Sequence, residues 1–180
     1  MTQVLPQRHR IRLAREVYGV VGSVCSVTFG VKLRARVFAN RRIAAAAIGV
    51  LKEHAGLAKV PIYGYCVMPD HVHLVLGPSR EMDIVTFVGQ FKNLTQRAAW
   101  RLGVEGAFWQ AGFWDHFLRS EERVETAVDY VLHNPVRSGI TQRWEDYPFC
   151  GSLVFDLRSR ARPAGDKPPP YIPVPESNGC

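Results

Sequence analysis

Two histidines separated by one residue, His71 and His73, open the run His-Val-His-Leu-Val-Leu at residues 71–76. The run alternates like a β-strand, which puts both imidazoles on one face with their Cα atoms roughly 6.6–7 Å apart. Two imidazoles at that spacing can converge on one divalent cation. They can equally be polar residues at a strand start. A second cluster is Asp-Tyr-Val-Leu-His-Asn-Pro at residues 129–135. On a helix, Tyr130 and Asn134 are four apart and share a face. A phenol there could attack phosphorus, but with a pKa of about 10 it needs a nearby cation or base. The plain alternative is a tyrosine packed at a helix end that Asn134 caps. Spacing alone leaves both alternatives open.

The elements that would position these residues follow from periodicity and punctuation. Residues 1–19 carry Arg8, His9, Arg10, Arg12 and Arg15 among few large apolar groups, and read as a flexible basic arm. Residues 20–29 are β-branched with small residues and read as a strand. A basic loop with Lys32, Arg34, Arg36, Arg41 and Arg42 leads into a helix from Asn40, a suitable N-cap, to His54, with Gly56 ending it. Residues 60–68 and 71–76 read as two strands joined by the tight Pro69-Asp70 link. Ile84, Phe87, Val88, Phe91 and Leu94 have helical spacing over residues 83–101, with Lys92, Arg97 and Arg101 toward solvent and Gly103 as the stop.

The aromatic stretch at 108–118 predicts a fourth strand around 113–118, and Ser120 begins a helix that ends before Pro135. Residues 135–148 read as a loop-rich return with Trp144 and Phe149 as anchors. Beyond Asp156, six of the twelve prolines fall in a polar stretch, which predicts a disordered tail over 156–180. Strand, helix, strand, strand, helix, strand is the order of the ferredoxin-like split βαβ plan. The expected fold is therefore α+β: an antiparallel sheet with helices on one face, plus a late helix carrying the tyrosine, in one domain over 20–155.

Composition bounds the partners. The 180 residues carry a formal charge of +7, which favours a polyanion, with nucleic acid first. The longest apolar runs are too short to span a bilayer, which takes about twenty residues, so no membrane partner is expected. Residues 1–15 lack the apolar stretch of a signal peptide, and the expected compartment is the cytoplasm. Cys25, Cys66, Cys150 and Cys180 form no CxxC pair, which fits free thiols better than a zinc ribbon or a disulfide framework.

Four blocks then resemble a known family. Residues 65–74 (Tyr-Cys-Val-Met-Pro-Asp-His-Val-His-Leu) resemble the HUH motif of single-tyrosine transposases, with Val72 as the central hydrophobic residue. Residues 109–116 (Trp-Gln-Ala-Gly-Phe-Trp-Asp-His) and 130–139 (Tyr-Val-Leu-His-Asn-Pro-Val-Arg-Ser-Gly) resemble the next two blocks. Residues 146–152 (Asp-Tyr-Pro-Phe-Cys-Gly-Ser) resemble the closing one, where Trp-Ser-Ser is common. Together they are similar to the bacterial REP-associated tyrosine transposases, over about residues 18–155. Two departures are visible: residues 20–29 copy the usual Tyr-His-Val-Thr strand poorly, and Cys150-Gly151 stands where Trp-Ser is usual.

The resemblance implies a metal-dependent transesterase that cleaves and rejoins hairpin-associated single-stranded DNA through a 5′-phosphotyrosine. It implies Tyr130 as nucleophile and His71, His73 and Asn134 as ligands of Mg²⁺ or Mn²⁺. The expected partner is hairpin-forming repeat DNA in the nucleoid, bound by a monomer or a homodimer. Candidate DNA contacts are Arg34, Arg36, Arg41, Arg42, Lys92, Arg97 and Arg137, with Trp109, Phe113 and Trp114 as possible stacking surfaces. His133 and Lys92 are candidate helpers of the phenol, while His116 reads as a structural histidine. The alternative function is a domesticated hairpin-binding protein with little or no cleavage. An RNA-binding module of this fold would carry aromatic RNP strands, which are missing, and a water-using phosphohydrolase would have no need of Tyr130.

Overall fold

The computed structural model describes residues 14–157. The proline-rich stretch from 158 and the first thirteen residues of the expected arm lie outside the described residues. Five strands form one antiparallel sheet: β1 (Cys25–Gly30), β2 (Ile62–Met68), β3 (His71–Leu76), β4 (Trp114–Phe117) and β5 (Cys150–Gly151). They run in the order β4-β1-β3-β2-β5, each antiparallel to its neighbour. The first four strands give the ferredoxin-like arrangement expected from the element order, with the β2–β3 hairpin inside the sheet.

Two long helices, α1 (Arg41–Ala58) and α2 (Ile84–Arg101), cover one face. Asn40 caps α1 by accepting from Arg42 N at 3.0 Å, and Asp83 caps α2 by accepting from Thr86 N at 2.8 Å. Such caps satisfy a donor that the helix start leaves open and contribute about 1 kcal/mol each. Ile43, Ala47, Leu51 and Ala58 of α1 and Phe87, Val88 and Phe91 of α2 share one core with Val27, Phe29, Val72 and Leu74 of the sheet. The alternation then decides the other face. With Val72 and Leu74 turned to this core, His71, His73 and Val75 point away from it.

Helix α3 (Val124–Leu132) covers that second face, over β2 and β3. Ala127, Val128, Val131 and Leu132 pack with Cys66, Met68 and Val75. Gly64 permits the approach, since a Cβ there would lie 3.3 Å from both methyl groups of Val128.

Several boundaries differ from expectation. The segment before β1 is not all arm: Arg15–Gly19 is a short 3₁₀ turn with Tyr18 fully buried, its hydroxyl donating to Asp115 Oδ2 at 3.1 Å. Val20 and Val21 are exposed in a turn closed by Ser23 N on Val20 O, so the strand begins only at Cys25. Helix α1 passes through Gly56, because Ala58 still faces the core. It stops at Lys59, whose left-handed backbone (φ 53°) lets Val60 N reach Ala55 O.

Ser120 does not begin α3. The Glu122 carboxylate instead closes a turn by accepting from Arg119 N at 2.8 Å, and the helix starts at Val124. Pro135 does not end helical structure either. It sits in the first turn of α4 (Asn134–Arg137), where no N–H is required.

The expected loop-rich return is followed directly by β5; Trp144 and Phe149 pack against the core as expected, and the buried Tyr147 adds an anchor, its hydroxyl donating to Val67 O at 2.7 Å. The Gly151 departure now has a reason: a Cβ there would lie 2.7 Å from the Tyr65 hydroxyl.

Candidate active site

The hairpin brings His71 and His73 together, with Nε2 atoms 2.9 Å apart and rings nearly perpendicular. Each ring is held from behind. His71 Nδ1 donates to Asp70 Oδ1 at 2.6 Å, and His73 Nδ1 is 2.8 Å from Thr28 Oγ1 across the β1–β3 ladder. An ionised carboxylate only accepts, so Nδ1 of His71 carries a proton, and its Nε2 faces His73. Burial first, then the charges of His71 and Arg137, hold His73 well below the usual imidazole range, so it is neutral at neutral pH.

The donor set fits a divalent ion. A separation of 2.9 Å matches the edge, roughly 2.9 Å, of an octahedron with bonds of 2.0–2.1 Å. The backing groups supply the orientation that ligating histidines require.

Asp70 ties the pair to the basic loop. Its Oδ2 accepts from Arg34 Nε at 3.2 Å while Oδ1 holds His71. Burial alone would raise this carboxyl, but the hydrogen bonds and charges of His71 and Arg34 bring it below the usual range. The loop after β1 is pinned to the same turn: Val31 N donates to Asp70 O at 2.8 Å and Phe38 N to Pro69 O at 2.9 Å. Arg34, Arg36, Arg41 and Arg42 are all exposed on this loop and the first turn of α1. Within the loop, Leu33 (φ 54°) and Arg34 (φ 53°) both adopt the left-handed conformation, which costs a residue with a Cβ roughly 1–2 kcal/mol.

Tyr130 lies on α3, the helix that packs against the histidine-bearing face. The Arg137 guanidinium stacks over its ring, 3.8 Å from the centroid, and donates to Tyr130 O at 2.7 Å. The same guanidinium is close enough for its charge to act on His73 and Cys66. Arg137 thus sits on the tyrosine with its charge felt at His73. Asn134 is buried, and its amide nitrogen donates to Val131 O at 3.0 Å, which leaves Oδ1 as the atom that could serve a cation.

The remaining candidates separate. Lys92 does not meet solvent as expected. It is on the α1–α2 side of the sheet, its ammonium over the Phe29 and Trp109 rings at 5.2 and 5.9 Å, donating to Gln110 O at 3.0 Å and to Gly112 O. Burial lowers its pKa to about 8. Arg97 is exposed on α2, also away from the histidines.

Trp109 is core, donating to Thr95 Oγ1 at 3.1 Å, and Phe113 packs edge-on against Tyr18. Trp114, half-buried, is the cross-strand partner of Thr28, which is in turn the partner of His73. Directly paired residues share a face, so the indole and the imidazole look out on the same side. His133 Nδ1 bonds back to Asp129 O at 2.7 Å, and His116 pairs with Glu122 at 2.9 Å; neither is joined to the pair. Sequence reasoning missed Thr28 and Asp70 as supports. Asp70 directly precedes His71, which is a usable signal, whereas Thr28 becomes visible only once the strand register is known.

A ferredoxin-like sheet with two converging imidazoles inside it and a tyrosine helix over them defines a class. Residues 22–134, more than half of the chain, match the family described as "Transposase IS200 like", and the chain belongs to that family. Among curated relatives, it is 26% identical over 109 residues to a Haemophilus influenzae protein provisionally named a REP-associated tyrosine transposase, covering 54% of this chain and 61% of that protein. It is 28% identical over 89 residues to the REP-associated tyrosine transposase of Escherichia coli K12, covering 49% and 52%. The chain thus matches 52–61% of the length of these relatives.

A solved structure of a REP-associated tyrosine transposase bound to a REP hairpin superposes with a TM-score of 0.60 at 22% identity, over 90% of both chains, and shares the fold. The resemblance read from the four sequence blocks holds. No helix among the described residues is long and apolar enough to cross a membrane.

Proposed function

We propose that this protein is a metal-dependent single-stranded DNA transesterase, acting on hairpin-forming DNA through Tyr130. The observation that carries the reading is the His71–His73 pair, with Nε2 atoms 2.9 Å apart beneath the tyrosine helix. His71, His73 and the Asn134 carbonyl would hold Mg²⁺ or Mn²⁺, which when bound polarises a non-bridging phosphate oxygen and offsets the charge that builds there. All three donors are neutral, so they leave the cation's charge for the phosphate.

In the forward step the Tyr130 oxygen forms a bond to phosphorus, and the bond from phosphorus to the 3′ oxygen breaks. The phenol loses its proton and the leaving 3′ oxygen gains one. The 5′-phosphotyrosine keeps the energy of the original phosphodiester, so a different 3′-hydroxyl can reverse the step and join new ends. Arg137, stacked on the phenol ring, orients the nucleophile. The names of the two curated relatives and the hairpin held by the solved relative support hairpin DNA as the partner.

The test is a labelled single-stranded hairpin incubated with protein and Mn²⁺, read as a covalent protein–DNA band. Wild type should give the band, Tyr130→Phe should lose it while keeping binding, and His71→Ala should lose it through loss of the ion. A band that survives in Tyr130→Phe assigns the chemistry to another residue.

A further inference from the structure

Leu33 is 98% exposed, more than any other large apolar side chain among the described residues. It occupies the tip of the loop in the left-handed conformation (φ 54°, ψ 20°), and so does Arg34 after it (φ 53°). The loop is nevertheless fixed in place. Val31 N donates to Asp70 O, Lys32 N to Phe108 O, Arg34 N to Val31 O and Ala35 N to Lys32 O, while the Gln110 amide donates to Val31 O. The strain is therefore imposed by the surroundings, and what it achieves is to hold one leucine out in water. Among the described residues no contact returns the strain or covers the exposed leucine. The return has to come from a partner.

The position narrows the partner. Lys32, Arg34 and Arg36 flank the leucine, and Arg34 is tied through Asp70 to His71. The base of the loop, Gly30, is the cross-strand partner of His71. An apolar tip in a cationic setting beside a phosphate-directed site suits a polyanion with apolar faces, which is what unpaired nucleobases are. A second copy of this chain, itself basic, would be repelled by the same residues.

We infer that Leu33 is an apolar wedge that packs against an unpaired base next to the duplex, with Lys32, Arg34 and Arg36 holding the adjoining phosphates. This rests on the DNA reading above but not on cleavage. Wedges of this kind insert against a base step and partly unstack it; a base stacked on an aromatic side chain is worth roughly five- to a hundredfold in affinity, and an aliphatic wedge falls toward the lower end of that range.

The experiment uses the full chain without metal, so that no cleavage occurs, and hairpin oligonucleotides with an unpaired extension at either end or none. A 2-aminopurine is placed at the first unpaired position. The variant is Leu33→Asn, because asparagine accepts the left-handed conformation and keeps the loop folded; Leu33→Met keeps the apolar bulk. Wild type and Leu33→Met should bind an extended hairpin with a rise in 2-aminopurine fluorescence. Leu33→Asn should lose the rise and bind that hairpin roughly tenfold more weakly, bind the blunt hairpin as wild type does, and melt no lower.

Equal affinity and equal fluorescence in wild type and Leu33→Asn would overturn the inference. So would an equal loss on blunt and extended hairpins, or a change in oligomeric state in place of a change in DNA binding. Failure of the transesterase reading is seen separately, as wild-type protein that wedges the extended hairpin but forms no covalent band with Mn²⁺.

Discussion

At the scale of residues, the site is built by pairs in which one member is chemically active and the other fixes it. His73 has Thr28 behind it and His71 has Asp70. An imidazole left to rotate would present its lone pair toward a cation only part of the time, and the partner removes that freedom. Replacing such partners weakens metal binding about 10–100-fold. Thr28→Val keeps the shape of the side chain and removes the oxygen. It should lower Mn²⁺ affinity about tenfold by titration calorimetry, with metal-free DNA binding unchanged. Asp70→Asn should lower Mn²⁺ affinity as well, and it also loosens Arg34, so its DNA affinity should fall where that of Thr28→Val does not. If Thr28→Val binds Mn²⁺ as wild type does, the hydroxyl is not setting the ring.

At the scale of elements, the helix pair behind the sheet contains a titratable group in its seam. His54 of α1 is 7% exposed and stacks on Phe87 of α2 at 4.5 Å with planes 8° apart, its Nε2 without a partner among the described residues. Burial lowers its pKa below 6.5, a backbone hydrogen bond at Phe87 opposing. A histidine with a lowered folded pKa binds fewer protons than the unfolded chain just below pH 6.5, so stability present above that pH is lost as pH falls through it. His73 acts in the same direction, so the informative quantity is a difference between variants. In urea denaturation at about pH 5 and 7.5, wild type should lose more stability on acidification than His54→Leu. Equal losses would show that His54 protonates in place. The two helices and the first four strands were legible in the sequence, α2 and β3 from apolar periodicity and the others from caps, β-branched or aromatic runs and the turn residues that bound them. The start of α3 was not, because Ser120 resembles a cap while the Glu122 carboxylate closes that turn. The two residues of β5 carry too little pattern to be seen before their partners on β2 are known.

At the scale of the whole molecule, charge was legible as a sum but not as a distribution. Seven basic residues were nominated for DNA from one sequence property, and folding places them differently. Arg34 is tied to Asp70 in the hairpin turn beside His71, Arg36 follows it in the same loop, and Arg41 and Arg42 open α1, with Arg41 over the Phe149 ring. Arg137 is stacked on Tyr130. Arg97 faces solvent from α2, and Lys92 spends its ammonium on two carbonyls on the α1–α2 side of the sheet. Periodicity could not foresee this for Lys92, since a helix position that looks solvent-facing can still be roofed by a loop eighteen residues on, at Gln110. Each cation that neutralises a phosphate releases counterions and adds about 0.7–0.9 to the slope of log affinity against log salt. Arg36→Ala and Arg42→Ala should therefore each reduce the slope for hairpin DNA by about 1, whereas Arg97→Ala and Lys92→Met should leave it unchanged. Lys92→Met should instead act on the fold. It strips a donor from two carbonyls and also removes a charge that burial disfavours, so the informative quantity is the pH dependence of stability. The wild-type ammonium is lowered to about 8 by burial, so between that value and its unfolded value of about 10.4 the unfolded chain binds more protons, and stability should rise with pH in wild type but not in the variant. Salt titrations and urea melts on the four variants separate the two kinds of basic residue. A salt slope that falls in Lys92→Met as much as in Arg36→Ala would put DNA on both faces of the sheet.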